Sequence, residues 1–216
     1  MATSNPSREA ILARIREGLR TPIQPIETKT FDGPIFAPIE NLLERFEQEC
    51  KANLMEFYLT ANAAESTQTL ARVFESLPAG EIFVQDDPTL RGMVKTTGTA
   101  RQVRWSSEGG PAESSQATVT LAEALVALTG SIFVTSACGG RGASVVAPVH
   151  IVYASTKQLV PDLVTALRNA TEQGQMERNS YACMISGSSR TADIEKILVQ
   201  GAHGPMRLVM ILERNT

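Results

Sequence analysis

The sequence predicts an α/β fold: an open, mostly parallel sheet with helices on both faces and a helical arm at the N-terminal end. Three observations lead there. Short apolar runs of buried-strand length, such as Glu81 to Gln85 and Arg207 to Leu212, alternate with stretches of helical periodicity. Such strands imply a sheet covered on both sides, as parallel sheets are. The chain of 216 residues, 43% hydrophobic and 20% charged, suits one domain plus a short arm.

Taken in order, Ser7 to Arg20 reads as an amphipathic helix with Ser7 as N-cap and Ile11, Leu12, Ile15 and Leu19 on one face. Pro22, Pro25, Pro34 and Pro38, with Gly33 among them, then make an extended linker. Residues 1–38 are therefore an arm, and 39–216 the body. Ile39 to Ala52 has the spacing of a helix, Leu54 to Leu59 of a strand, and Ala64 to Leu77 of a helix presenting Leu70, Val73, Phe74 and Leu77. Glu81 to Gln85 is a strand, Asp86 caps a helix to about Lys95, and Arg101 to Trp105 is a further strand.

Thr120 to Leu128 is expected as a helix, followed by β-rich Ser131 to Ser136. The glycine-rich tip between Ser136 and Ser144 is expected to turn back as an antiparallel hairpin into a second β-rich run, Ser144 to Tyr153. Pro161 to Ala170 reads as a helix with Pro161 near its first position. Tyr181 to Ser186 is a strand, Ala192 to Gln200 a helix and Arg207 to Leu212 the closing strand.

The composition narrows the function. A formal net charge of -3 and no basic stripe argue against general nucleic-acid binding. The longest apolar stretch, Leu121 to Val134, is interrupted by Glu123, Thr129, Gly130 and Ser131, short of the roughly 18 residues of a membrane span. The start, MATSNPSREA, lacks the pattern of a secretory signal, so a cytoplasmic location is expected. Cys50, Cys138 and Cys183 are widely spaced and too few for a four-cysteine iron–sulfur site. With only His150 and His203 besides, no metal site is expected.

The segment Ile185 to Glu195, ISGSSRTADIE, carries the most chemistry. It follows a predicted strand and opens a predicted helix, which aims backbone N–H groups and the positive helix end at one point. Gly187 permits close approach, Ser188, Ser189 and Thr191 offer hydroxyls, and Arg190 suits a carboxylate or phosphate. The alternative is a helix capped by Thr191 or Asp193 with Arg190 solvated. In an open sheet this loop would sit at the carboxyl ends of the strands, where ligands gather.

Thr129 and Ser131 are placed to line the same crevice, with Gly130 leaving room for a ligand and Arg141 closing over it from the tip Cys138 to Gly142. Equally, Gly130 marks a helix end and the tip is a mobile turn. No base-like partner stands beside Cys138, which reads as structural. His150, polar within an apolar strand, suits either a general acid or base or a buried histidine satisfied by hydrogen bonds. His203 sits in a turn, with a site role and a structural role both open. Glu123, Asp162 and Glu195 read as solvated positions on helices, and Glu44, Glu47 and Glu49 as an acidic helix face.

The segment Ile185 to Pro205, ISGSSRTADIEKILVQGAHGP, resembles the C-terminal signature of the LUD-domain family, LutC/YkgG branch. Leu125 to Val134 (LVALTGSIFV), Ala147 to Val152 (APVHIV) and the strand-to-helix step IFVQDDPTL are similar too, so the resemblance runs from about residue 39 to the end. It implies a NagB/RpiA/CoA-transferase-like fold and a part in bacterial-type oxidation of L-lactate to pyruvate. It further implies two partners, LutA-like and LutB-like iron–sulfur proteins, with no cofactor in this chain. The matching positions are Thr129, Gly130, His150, Ser186, Gly187, Ser189, Arg190, Thr191, Asp193, His203 and Gly204.

The chain departs from the family pattern at Leu128, where an acidic residue is usual, at Ser188, where proline is usual, and in the cysteine of CGGRGAS. Leu128 removes a carboxylate beside the crevice, which argues against the glutamate chemistry of CoA transferases. The expected function is an accessory subunit with an anion-binding pocket. Alternatives are a stand-alone enzyme or a sensor for a sugar-phosphate, acyl-CoA or small carboxylate.

Overall fold

The computed structural model describes residues 6–20, 35–191, 199–200 and 204–215, and divides the chain into two compact units, Met1–Ile35 and Phe36–Thr216. The first unit holds helix α1 (Pro6–Arg20). It begins one residue before the expected Ser7 cap, because proline with its fixed φ suits a first helical turn. Ile11, Ile15 and Leu19 along one stripe are exposed.

In the second unit, α2 (Leu42–Ala52) precedes β1 (Glu56–Thr60), α3 (Ala63–Ser76), β2 (Ile82–Val84), α4 (Pro88–Thr97) and β3 (Val103–Trp105). Next come β4 (Ala117–Leu121), β5 (Ala124–Val126), β6 (Ser131–Thr135), α5 (Arg141–Val145) and β7 (Val149–Ser155). The remaining elements are β8 (Leu159–Val160), α6 (Leu163–Glu172), α7 (Gln175–Arg178), β9 (Ala182–Ile185), β10 (Arg190–Thr191), β11 (Val199–Gln200) and β12 (Arg207–Glu213).

Short polar side chains set the helix starts. Asn41, Asn62, Asp87 and Asp162 each accept a hydrogen bond from a first-turn backbone N–H of α2, α3, α4 and α6. The cap of α4 is thus Asp87, not Asp86, whose carboxylate instead binds Arg91 and Ser107. These partners hold the Asp86 carboxyl down at about 2, below the usual carboxylate range. Asp162 likewise caps α6, which moves the start of that helix two residues past Pro161.

Six strands form one all-parallel sheet in the order β1-β12-β7-β4-β2-β3. Alternation along the strands makes two apolar faces. Val119, Ile151, Val209 and Ile211 point to α3 and α4, packing against Leu70, Phe74, Leu90 and Val94. Val152, Leu208, Met210 and Leu212 point the other way, onto Phe46 of α2 and onto Leu125, Ile132 and Val134. Those last three belong to a second, four-stranded sheet, β8-β5-β6-β9, in which β6 runs antiparallel to both neighbours. Its outer face, Ala124, Val126 and Phe133, is covered by Ala166 and Ala170 of α6.

Two expectations fail in this region. The helix over Thr120–Leu128 is replaced by the end of β4 and by β5, because nearly every side chain there is buried. An all-round apolar segment has no exposed face for a surface helix to show. The glycine-rich hairpin is also absent. β6 and β7 lie in different sheets, and Gly139 and Gly140, both at positive φ, join a 3-10 turn to α5.

Candidate functional site

The outer face of β6 carries polar groups at both ends. Ser131, Phe133 and Thr135 alternate with inward Ile132 and Val134, so all three share that face. At the first end, the Ser131 hydroxyl lies 2.6 Å from Thr129 Oγ1 and 2.6 Å from Ser186 Oγ. Ser131 is buried, while Thr129 and Ser186 are exposed, so a short hydroxyl chain opens to solvent at both ends.

Gly130 leaves no room for a ligand here. It adopts φ +61°, and a Cβ on it would come within 2.7 Å of Glu49 Cβ and 2.9 Å of Cys50 N, so α2 occupies that space. Two bonds fix the approach: Asn53 Nδ2 donates to the Thr129 carbonyl (2.9 Å) and Arg45 Nη2 to the Leu128 carbonyl (3.2 Å). Gly130 therefore marks a turn between strands, not a helix end.

The loop that follows β9 starts from this hydroxyl chain. Gly187 sits at φ +105°, Ser188 is buried, and Ser189 donates its N–H to the Pro205 carbonyl. Gly204 packs so closely that an added Cβ would lie 3.1 Å from Ser189 Cβ and 3.5 Å from the Val145 carbonyl oxygen. The serine loop, the turn before β12 and the end of α5 thus meet. Their location differs from expectation. β9 belongs to the small sheet, and Pro205 precedes β12, so the loop lies toward the amino ends of the parallel strands. Arg190 and Thr191 form β10, paired with β11. Most of the helix expected over 192–200, along with Asp193, Glu195 and His203, lies outside the described residues, and its last two residues form β11.

Arg141 does not join this group. Its guanidinium donates to the Ser180 carbonyl and lies over the Tyr181 ring, at the opposite end of β9 from Ser186. Cys138 is buried, and burial pushes its thiol up to about 11, which removes the thiolate a nucleophile needs. His150 is fully buried on β7 with Nε2 2.8 Å from Thr120 Oγ1. Its Nδ1 has no partner among the described residues, nor has Thr118 Oγ1 on the adjacent strand. Burial lowers the His150 pKa to about 4, so the ring is neutral at physiological pH.

The second end of β6 was missed by sequence reasoning. Glu123 is not a solvated helical residue. It sits half-buried just past the carboxyl end of β4, with its N–H donating to the Phe133 carbonyl. Its carboxylate accepts from Thr135 Oγ1 (3.2 Å) and from Gln175 Nε2 (2.7 Å). Beneath α6 it borders a cavity of about 280 Å³, lined by apolar Phe133, Val160 and Ala170 and by polar Lys157, Gln158, Asn169 and Gln173. The available signal was a single carboxylate inside the apolar run Leu121–Val126.

A larger groove of about 730 Å³ lies at the amino end of β2, between the last turns of α3 and α4. Its arginine, Arg101, is already bound to the carbonyls of Leu77 and Pro78. Among the described residues no group of three or more His, Cys, Asp or Glu is arranged to hold a metal ion, and no helix is long and apolar enough to cross a membrane.

Comparison with known proteins places this architecture. The profile of the LUD domain matches residues 43–212. A lactate utilization protein C from Macrococcus caseolyticus is 25% identical over 182 residues, spanning 80% of this chain and 78% of its own length. One from a Geobacillus species is 26% identical over 189 residues with the same coverage. Another, from Bacillus pumilus, is 33% identical over 105 residues, 47% of this chain and 43% of its own. In three dimensions the chain is similar to the crystal structure of a DUF162 family protein from Deinococcus radiodurans. The TM-score is 0.60 at 17% identity, covering 81% of this chain and 96% of that one, a likeness of fold.

Proposed function

The chain belongs to the LUD domain family, and from that premise we propose that it acts in lactate utilization as an accessory subunit of a cytoplasmic system oxidising L-lactate to pyruvate. The observation that carries this reading is the breadth of the match. The family profile spans nearly the whole body, and relatives named lactate utilization protein C align over four fifths of the chain.

The chemistry of the thiols supports an accessory role. Lactate oxidation removes two electrons, and an iron–sulfur carrier needs thiolate ligands. Three cysteines are too few for a four-thiolate cluster, and two of them, Cys50 and Cys138, are buried in the core. The clusters then reside in LutA-like and LutB-like partners. The exposed stripe of Ile11, Ile15 and Leu19 on α1 suits docking to such a partner.

The test is to tag the protein in its native host, grow the cells on L-lactate and identify what co-purifies. Iron–sulfur proteins and lactate-dependent dye reduction are expected, and deletion of residues 1–38 should abolish the association. Recovery of the protein alone without such activity, together with normal growth on L-lactate of cells lacking the gene, would overturn the reading.

A further inference from the structure

We propose that the cavity beneath α6 is a second binding site, for a small carboxylic acid that also carries a hydrogen-bond donor, either a hydroxyl or an ammonium group. Glu123 receives the donor and Lys157 the carboxylate. The site stands apart from the proposed role in lactate oxidation, because it lies at the opposite end of β6 from the hydroxyl chain.

Three observations carry the assignment. The first is position. Glu123 follows β4, and Lys157 and Gln158 follow β7, so the cavity opens at the carboxyl ends of two neighbouring strands of the parallel sheet. That edge is where open α/β sheets gather ligands. The second is the fixing of the polar groups. Thr135 and Gln175 each occupy one lone pair of the Glu123 carboxylate, which sets its plane and leaves acceptor capacity on both oxygens. Gln158 is held from both sides, accepting from the Ser155 N–H at 2.7 Å and donating to the Ala122 carbonyl, which anchors the turn that carries Lys157.

The third observation is an unpaired charge. Glu123 and Lys157 border the same cavity, yet Lys157 makes no ion pair or hydrogen bond among the described residues. An acceptor, Glu123, and a cation, Lys157, lining one cavity with Phe133 and Val160 complement a molecule that carries both a donor and a carboxylate. The volume of about 280 Å³ restricts that molecule to a small one.

Titration calorimetry on the full chain with L-lactate, L-alanine and propionate tests this. L-lactate or L-alanine should bind, and whichever binds more tightly identifies the donor as hydroxyl or ammonium. Propionate, which lacks the donor, should bind about tenfold more weakly or worse. Glu123→Gln and Lys157→Ala should each weaken binding about tenfold, and Ser186→Ala should leave it unchanged. Lys157 is exposed, so Lys157→Ala is expected to keep its fold even if the Glu123 variant does not. The proposal is overturned if neither acid binds, if propionate binds as well, or if binding survives both substitutions. Loss in Ser186→Ala with retention in Glu123→Gln would place the acid at the hydroxyl chain, sinking this proposal while leaving the lactate reading intact.

Discussion

The two ends of β6 solve different problems with the same strand face. At Ser131 three hydroxyls bind one another at 2.6 Å, and a glycine lets α2 close against their turn. At Thr135 a carboxylate is oriented by two neutral donors beside a cavity that Phe133 and Val160 help to line. The first end has its partners built in and little space. The second has space and unspent capacity. Polar residues that complete one another stabilise a turn, whereas polar residues left partly incomplete beside a cavity are equipped for a ligand.

The largest effect that separates the ends is expected at Gly130. Gly130→Ala forces a left-handed alanine into the backbone of Glu49 and Cys50 and should cost roughly 3 kcal/mol in urea unfolding. Acid binding at the Glu123 cavity should persist in whatever fraction stays folded. A loss of binding in folded protein would show that the ends are coupled.

A change of similar size should touch neither end. Folding lowers the His150 pKa from 6.5 to about 4, so below pH 6.5 the unfolded chain takes up a proton that the folded chain refuses. The stability contribution is complete above pH 6.5 and is lost as pH falls toward 4, about 3 kcal/mol in all. Denaturation midpoints measured from pH 7 to 4 should show this slope, and His150→Leu should flatten it.

Ser131→Ala removes the middle of the hydroxyl chain and should cost about 1–2 kcal/mol, with a Ser131/Ser186 double-mutant cycle giving a measurable coupling. Additive effects would mean the 2.6 Å contact contributes nothing. The smallest change should be a gain. Leu54 holds φ +56° just after α2, beside the Asn53 that ties Thr129, and Leu54→Gly should raise stability by about 1 kcal/mol.

The contrast between the ends also explains what was legible in the sequence. Thr129, Gly130 and Ser131 are contiguous, and Ser186 to Ser189 form a second contiguous polar run, so both stood out as segments. The Glu123 cavity draws on β5, β6, the turn after β7, α6 and α7, and no local pattern joins those pieces. Its carboxylate was also hidden by a wrong element. The run Leu121–Leu128 is rich in Ala and Leu, strong helix formers, but tertiary burial overrode propensity and made it two strands. β2, by contrast, was legible because Ile82–Val84 is buried on both faces and bounded by Gly80 and Pro88. Arg141 misled through its place in a glycine-rich tip. The tip folds into α5 and turns the guanidinium toward Tyr181.

One feature of the sheet order bears on how the molecule is made. β12 lies between β1 and β7, and Arg207 clasps Glu56 of β1 with two hydrogen bonds. β1 is an edge strand whose sheet partner is β12, so Phe57 and Leu59 leave the ribosome long before the strand that shelters them has been synthesised. Such distant pairing is slow, and an open apolar edge in a nascent chain invites association with other chains. Premature termination before residue 207 would leave β1 and β7 without the strand between them, and the truncated product is expected to aggregate or to be held by chaperones.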